Sequence, residues 1–409
     1  MWQLNSFRRN RHAAGSPISY GIVEPGTTAL RLSVVEVRDG QSTILGWAEG
    51  PGWDGTGADA PALVRACDEA LAKAEEMAQS SRERGLLPDQ LVVGLPPSQL
   101  RGRSWAVVQQ RAQPDRPIDE RELVSILERT LRLAVNRLLS DEPEGCDWLL
   151  VDSAPVALTV DGRGVTDPVG FRGKEIGAAI FAALTRVGTI QMWGAVAEEL
   201  EFSSLTLTAT PLALAASLPV SHGVLVDIGG AATDLIWCSA GRPVAMETLK
   251  LGGDALTAAL GRKWGLAPVG AERLKRAYSS HELSEEAEAQ VKSVLWPTLA
   301  QWLEEMEAAL ARLSHDEPLP QQIYLLGGGS ALPEVIDAVR SLAWSEQLRF
   351  VRYPEVSSLR PTDVPRVANQ SGMGRELGDV PALALASWVA DQEGRADRPA
   401  RVLAELCQG

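Results

Sequence analysis

Two short segments of this chain place a carboxylate, small residues and threonine in the same order, and they constrain its fold more than any other feature. The first segment runs from Glu24 to Thr28 and the second from Asp227 to Thr233. Each follows a run of apolar residues that predicts a buried strand, and each leads into another apolar segment, as in a β-hairpin. One copy lies in each half of the chain. The sequence therefore predicts two related domains that face each other, each contributing one hairpin to a common site.

The residue types of both hairpins suit the binding of a polyphosphate. Glycines let backbone N–H groups approach phosphate oxygens closely, and threonine hydroxyls add further donors. A neighbouring carboxylate can hold Mg²⁺ through water, because this ion keeps several waters in its shell. Glu24 and Asp227 are the candidate catalytic and metal-binding carboxylates. The candidate phosphate-binding residues of the two hairpins are Gly26, Thr27, Thr28, Gly229, Gly230, Ala231 and Thr233.

A third glycine-rich segment lies near the end of the second half. Gly327, Gly328 and Gly329 follow a predicted strand from Ile323 to Leu326, and Pro333 suits the first position of a helix. Such a loop can pack under a purine or close to phosphates. A single glycine-rich turn is most often only a turn. Two carboxylate hairpins and a triple-glycine loop in one chain nevertheless favour a nucleotide site.

Composition excludes several classes of protein. The chain has 409 residues, 45% of them hydrophobic and 22% charged, which is typical of a folded globular protein and not of a disordered or fibrous one. Its net charge of −14 argues against a nucleic acid as partner, because no overall positive field attracts phosphates. The four cysteines and four histidines are scattered, which argues against a zinc site. The most apolar stretch, Leu205 to Ile228, contains two prolines and a histidine and does not predict a membrane span.

Three segments carry a resemblance to a known family: Val226 to Asp234, Leu249 to Thr257, and Leu325 to Leu332. They are similar to the second phosphate motif, the segment after it and the adenosine motif of the bacterial actin-like ATPases. Within that family the chain most resembles the FtsA cell-division proteins and their PilM relatives, over about residues 18–390.

The same resemblance adds three binding residues. Gly253 lies in the second of those segments, and Glu272 and Lys275 are similar to the residues of a family helix that contact the adenosine. On their chemistry alone, Glu272 and Lys275 would be an exposed ion pair at i,i+3 on a helix.

The resemblance implies an α/β, two-domain actin-like (ribonuclease H-like) fold around a nucleotide cleft, with ATP and Mg²⁺ as cofactors. Asp167 to Gly173 resembles a signature of the small α+β subdomain that FtsA inserts into its first domain. Within that subdomain, apolar runs predict strands at 148–152 and 155–160. The expected division of the chain is a basic and aromatic N-terminal segment 1–17, first domain 18–95, inserted subdomain 96–180, first domain continued 181–222, second domain 223–370, return to the first domain 371–392, and tail 393–409.

The chain departs from the family pattern in both phosphate motifs. Glu24 followed by Pro25 stands where the family has aspartate, and Ala231 and Ala232 stand where it usually has glycine and a hydroxyl or histidine residue. A longer carboxylate and the added Cβ atoms disfavour metal placement and hydrolysis. We therefore expect nucleotide binding without rapid turnover, at most a slow ATPase.

The two ends of the chain differ in their suitability as a membrane anchor. The tail from Arg398 to Gly409 lacks aromatic residues and a basic face, so it predicts a poor anchor. The N-terminal segment combines apolar and basic side chains that suit an anionic membrane surface, although a short solvated terminus explains them equally well. These candidate membrane-contacting residues are Trp2, Leu4, Phe7, Arg8, Arg9 and Arg11.

The resemblance implies an FtsA-like cytoskeletal protein that binds ATP, associates with itself in a filament or dimer, and links a tubulin-like division GTPase to the inner face of the cytoplasmic membrane. The alternative is a PilM-like platform for type IV pilus assembly, which binds the tail peptide of a membrane partner. A nucleotide-free scaffold is a further alternative. An enzyme of this fold, such as a sugar kinase, would need a substrate pocket and a catalytic carboxylate for which the sequence has no motif.

Overall fold

The computed structural model describes residues 17–53, 60–80, 87–140, 142, 147–341, 345, 348–394 and 397–407. Two β-sheets organise these residues, and helices cover them. In the described part of the chain, no helix combines the length and the apolar character needed to cross a membrane.

The first sheet has six strands in the order β15-β3-β2-β1-β4-β9. β1 pairs with β2 in an antiparallel hairpin and with β4 in parallel, so the turn after β1 lies at the carboxyl edge of the sheet. The strands are β1 (Ile18–Pro25), β2 (Ala29–Arg38), β3 (Gln41–Pro51), β4 (Gln90–Leu95), β9 (Ser204–Ala209) and β15 (Val367–Asn369).

Four helices cover the two faces of this sheet: α1 (Ala60–Ser80), α3 (Val187–Glu199), α4 (Thr210–Ser217) and α9 (Val380–Gly394). On one face, the core contains Leu63 of α1 and Trp193 of α3. On the opposite face, the core contains Leu214 of α4 and Leu385 of α9. Because both faces are buried, β1 and β4 are apolar almost throughout.

The second sheet begins with five strands in the order β14-β13-β10-β11-β12. Its strands are β10 (His222–Ile228), β11 (Thr233–Ser239), β12 (Arg242–Leu249), β13 (Gln322–Leu326) and β14 (Glu355–Ser358). The helices that follow are α5 (Gly253–Trp264), α6 (Pro268–Ser279), α7 (Glu285–Ser314) and α8 (Pro333–Ser341). The Ser284 side chain caps α7 by accepting a hydrogen bond from the backbone N–H of Ala287, and Pro297 lies inside this helix without ending it.

The core between the sheets is shared by the two domains. Leu225 and Ile236 of the second sheet belong to the same cluster of buried residues as α4 and α9 of the first domain. The other face of the second sheet packs against α5, α7 and α8, with Trp302 and Met306 fully or nearly buried. Domain contact therefore rests on apolar packing behind the cleft as well as on the residues that line it.

The inserted subdomain adds four antiparallel strands, in the order β5-β8-β6-β7, to the edge of the second sheet. One residue pair, Ala245 with Arg103, joins β12 to β5. The elements are β5 (Leu100–Gln110), α2 (Glu120–Leu138), β6 (Trp148–Val160), β7 (Arg163–Val165) and β8 (Glu175–Arg186). Asp119 caps α2 by accepting a hydrogen bond from the backbone N–H of Glu122.

Three boundaries of strands and domains that the sequence predicts differ from those in the structure. The two strands expected at 148–152 and 155–160 are one strand, β6, because its pairing with β8 continues through two local register shifts. The inserted sheet extends to Arg186 and not to residue 180, since β8 pairs with β5 and β6 along its whole length. Val367–Asn369, assigned to the second domain, pairs with β3 in the first sheet.

The C-terminal helix α10 (Arg398–Leu406) packs on the inserted subdomain. Val402 and Leu403 are almost fully buried in the cluster formed with α2 and the inserted sheet. Arg398 forms an ion pair with Asp167 at 3.1 Å. The apolar face of this helix is therefore covered by the protein itself, in line with the poor anchor that the sequence predicts.

Candidate functional site

Both predicted hairpins and the triple-glycine loop open onto one cavity of about 490 Å³ between the two domains. This volume lies in the range of small-molecule sites. The sequence-predicted residues that line the cavity are Glu24, Gly26, Thr27, Thr28, Asp227, Gly229, Gly230, Gly253, Glu272, Lys275, Gly327, Gly328 and Gly329.

Two predicted residues do not line it. The backbone N–H of Ala231 donates a 3.1 Å hydrogen bond to the hydroxyl of Thr27 and so links the two hairpins. Thr233 is fully buried; its hydroxyl donates to the carbonyl of Leu251 at 2.8 Å and accepts from the indole N–H of Trp302 at 2.9 Å. The structure therefore places this hydroxyl behind the loop, where it holds β11 to its neighbours.

The tips of the two hairpins touch at Gly230. A Cβ atom on this residue would lie 2.0 Å from the hydroxyl oxygen of Thr28 and 3.0 Å from a carboxylate oxygen of Asp254. The carbonyls of the second loop accept hydrogen bonds from the start of α5, at 2.9 Å from Gly253 N to Gly229 O. Only glycine fits this contact. The N–H groups of Gly229 and Ala231 are engaged within and between the hairpins, so these hydrogen bonds fix the shape of the loop.

The triple-glycine loop comes to the same place because β13 runs parallel to β10. Gly327 has a φ of +82° and no room for a side chain, since a Cβ atom would lie 2.3 Å from Oδ1 of Asp227. A Cβ atom on Gly329 would lie 2.3 Å from Ile228. Close approach of two loops at the carboxyl ends of parallel strands explains these two glycines.

The first carboxylate is held by an arginine that sequence analysis missed. Glu24 lies directly opposite Arg31 in the β1–β2 register, and Oε2 of Glu24 is 3.0 Å from Nη1 of Arg31. Nε of the same guanidinium lies 2.8 Å from Asp379, just before α9. Burial raises the pKa of Glu24, and the charge of Arg31 opposes that rise. This pair could have been predicted from the sequence, because Glu24 and Arg31 are seven residues apart across a three-residue turn. That spacing places both side chains on one face of the hairpin.

The second hairpin instead sets two carboxyl groups opposite each other. Asp227 of β10 faces Asp234 of β11 in the register of the strands. Burial raises the pKa of Asp227 to about 8, with further contributions from Asp234 and Glu24. Burial likewise raises the pKa of Asp234 to about 7, against a hydrogen bond from Thr248. Burial therefore favours the protonated form of both carboxyl groups.

Glu272 and Lys275 form a partly buried network and not an exposed helical pair. Nζ of Lys275 lies 2.7 Å from Glu272, and it donates to the carbonyl of Gly253 at 3.1 Å and to the hydroxyl of Thr257 at 2.8 Å. Burial raises the pKa of Glu272, but the hydrogen bonds from Lys275 and Thr257 outweigh it and leave the pKa lowered. The network fixes α6 to the start of α5, beside the loop of the second hairpin.

Arg276, the next residue of α6, reaches across the mouth of the cavity. Its Nη1 lies 3.7 Å from Glu376, in the segment that leads into α9. Arg276 and Glu376 both line the cavity, together with Arg375 and Gly378. None of these residues belongs to a motif, and no sequence signal identified them.

The six candidate membrane-contacting residues, Trp2, Leu4, Phe7, Arg8, Arg9 and Arg11, lie outside the described residues. Their role remains a prediction.

Comparison with known proteins supplies the fold. The chain matches a chain of the PilM-PilN type IV pilus biogenesis complex with a TM-score of 0.63 and 21% identity, over 91% of this chain and 98% of that one. This chain has the two-domain actin-like fold. The fold class predicted from the sequence is confirmed.

Weaker likenesses are to the ethanolamine utilization protein EutJ from Carboxydothermus hydrogenoformans, with a TM-score of 0.46 and 16% identity, and to MreB 5 of Spiroplasma citri bound to AMPPNP, with 0.45 and 11%. The first covers 83% of this chain and 85% of its own, the second 91% and 95%. No protein-family model matches the chain. A search of curated proteins finds no match either.

Proposed function

We propose that this chain is a nucleotide-binding, PilM-like platform protein that works at the inner face of the cytoplasmic membrane in a pilus-type assembly machine. The observation that carries the proposal is the match to the PilM-PilN complex over almost the full length of both chains. At 21% identity that match speaks for the fold, and the role and partner are our inference from it.

The FtsA-like interpretation has less support. The match that carries the proposal is to a pilus biogenesis complex, and within the described residues the apolar face of α10 is covered by the inserted subdomain. A pull-down separates the two roles. We expect capture of a pilus-assembly membrane protein through its tail peptide; capture of a tubulin-like division GTPase instead would reverse the choice.

The proposed ligand of the cleft is ATP. Its support is the convergence of three glycine-rich loops on one cavity of suitable volume. The alanine pair at 231–232 and the engaged carboxylate of Glu24 favour tight binding over rapid hydrolysis, so we expect at most slow phosphate release. Calorimetric titration with ATP tests binding directly. Micromolar affinity corresponds to about −8 kcal/mol, and no detectable heat would favour the nucleotide-free scaffold.

Self-association and membrane contact are separate parts of the proposal. Analytical ultracentrifugation with and without ATP tests for dimers or filaments. For membrane contact, deletion of residues 1–14 should reduce pelleting with anionic liposomes but not with neutral ones, because each basic residue near an anionic surface contributes about 1 kcal/mol. Unchanged pelleting of the truncated chain would remove the N-terminal segment from the proposal.

A further inference from the structure

The carboxylate expected to hold Mg²⁺ in this cleft already has a cation. Oε2 of Glu24 lies 3.0 Å from Nη1 of Arg31, and the Glu24 side chain is only 11% exposed. A divalent ion bound at this carboxylate through water would lie within a few ångströms of a permanent positive charge. That arrangement is unfavourable in a partly buried site, where like charges are poorly screened.

Arg31 is fixed in this position from two sides. The β1–β2 register places it opposite Glu24, and Nε donates a 2.8 Å hydrogen bond to Asp379, which is itself buried. Glu49 lies 3.8 Å from the same nitrogen. To release Glu24 for a metal shell, the guanidinium would have to leave two carboxylates at once.

The remaining donor set does not compensate. Among the residues that the structure describes, no three or more His, Cys, Asp or Glu side chains come together in a way that could hold a metal ion. Asp227 faces Asp234 across the second hairpin, and Gly327 packs against its carboxyl group. The residues present therefore do not fit the Mg²⁺ that the fold and the sequence lead one to expect.

One nitrogen of the Arg31 guanidinium is not engaged with a carboxylate. Nε and Nη1 are engaged, whereas Nη2 makes no hydrogen bond to any described residue and lies beside Gly378, at 2.9 Å from where a Cβ atom of that glycine would be. Both residues line the cavity. The guanidinium shares its charge with Glu24 and Asp379, but the N–H groups of Nη2 can donate to a phosphate oxygen.

We infer that Arg31 stands in for the divalent cation, so that nucleotide binding in this cleft is independent of Mg²⁺. The inference rests on the proposed function, because it concerns how the same cleft takes ATP. It replaces the expectation of Mg²⁺ held by Glu24 and Asp227.

The test is calorimetric titration of the full chain with ATP, once with Mg²⁺ and once with excess EDTA. For the wild type we expect the two dissociation constants to differ by less than about fivefold, or about 1 kcal/mol. A larger loss of affinity in EDTA would overturn the inference and leave the proposed function intact. Absence of binding in both conditions would overturn the nucleotide part of the proposed function and the inference with it.

A variant assigns the effect to its residue. Arg31→Gln frees Glu24 and removes the fixed charge, so its affinity in EDTA should fall by about tenfold or more and should recover when Mg²⁺ is added. Arg312→Gln, which breaks the ion pair between Arg312 of α7 and Glu247 of β12 away from the cavity, is the matched control and should behave as the wild type. If Arg31→Gln is as metal-independent as the wild type, Arg31 does not have this role.

A second variant covers the case in which Arg31→Gln does not fold. Arg31→Lys keeps one positive charge but cannot bridge Glu24 and Asp379 with a planar fork. In EDTA this variant should bind ATP more weakly than the wild type but still detectably, and addition of Mg²⁺ should increase its affinity. Equal affinity in both conditions and no loss relative to the wild type would contradict the requirement for a guanidinium.

Discussion

The two hairpins of the cleft share their topology and differ in the residue that lies opposite the carboxylate. In the first, β1–β2, the residue opposite Glu24 is Arg31; in the second, β10–β11, the residue opposite Asp227 is Asp234. A guanidinium therefore pairs with the carboxylate of the first hairpin, whereas burial raises the pKa of both carboxyl groups of the second. The same backbone design thus gives two different electrostatic environments, and the residue opposite the carboxylate decides which one.

The contact between the two hairpins offers the largest expected effect. Gly230→Val would place a side chain into the hydroxyl of Thr28, where a Cβ atom alone already lies 2.0 Å away. We expect ATP affinity to fall by at least about 100-fold, or about 2.7 kcal/mol, as measured by calorimetry. Gly164→Val, at a position with open space in β7, is the matched control. Equal affinities of the two variants would show that the hairpin contact does not shape the site.

Removing the fixed charge of the first hairpin should destabilise the fold. Arg31→Gln leaves Glu24 and Asp379 without their shared partner, and we expect a loss of about 3 kcal/mol, at the low end of the range for a buried pair because the arginine is partly exposed. Urea unfolding measures it. The double variant Arg31→Gln/Glu24→Gln should recover part of the loss, and a double variant no more stable than the single one would contradict the pairing.

The second hairpin should make stability depend on pH in the opposite way to an ordinary salt-bridged carboxylate. The pKa of Asp234 is raised to about 7 in the folded chain, so its contribution is complete at low pH and is lost as the pH rises from about 4 through 7. We expect Asp234→Asn to reduce this loss of folding stability by about 2 kcal/mol. That is about half of what the whole pKa change would give at about 1.4 kcal/mol per pKa unit. Thermal melts between pH 4.5 and 8 measure it. A variant whose melting temperature falls with pH as steeply as the wild type would exclude Asp234 as the source.

The threonines of the hairpins offer the smallest and most selective comparison. Thr28 lines the cavity, whereas Thr233 is buried and bonded to Leu251 and Trp302. Thr28→Val should lower ATP affinity by about 1 kcal/mol with stability unchanged, and Thr233→Val should lower stability by about 1 kcal/mol with affinity unchanged. Paired calorimetry and urea unfolding separate the two effects. The reverse assignment would place the Thr233 hydroxyl, and not that of Thr28, at the ligand.

Local sequence signals sufficed for the parts of the site that are continuous in the chain. Both hairpins and the strand before the triple-glycine loop follow from turn chemistry and apolar alternation over a few residues. The same holds for Glu24 and Asp227, because a strand end fixes which way such a side chain points. These features need no knowledge of distant contacts.

The rest depends on pairings that cross the chain. Arg31 meets Asp379 across 348 residues, and Arg276 meets Glu376 across 100, so no local pattern could join them. The apolar runs at 148–152 and 155–160 predicted two strands, but the pairing with β8 continues across the residues between them. Thr233 was assigned to phosphate by its motif, and its real partners, Leu251 and Trp302, become visible only when β12 and α7 are packed.

The inserted subdomain is in contact with both halves of the molecule. On the side of the first domain, Asp152 accepts hydrogen bonds from Thr208 and Ala209. On the side of the second domain, Arg103 of β5 pairs with Ala245 of β12, and β6 and β8 also lie against β12. A protein held by the inserted subdomain would therefore be coupled to both domains at once, so that a change in their relative position would reach it.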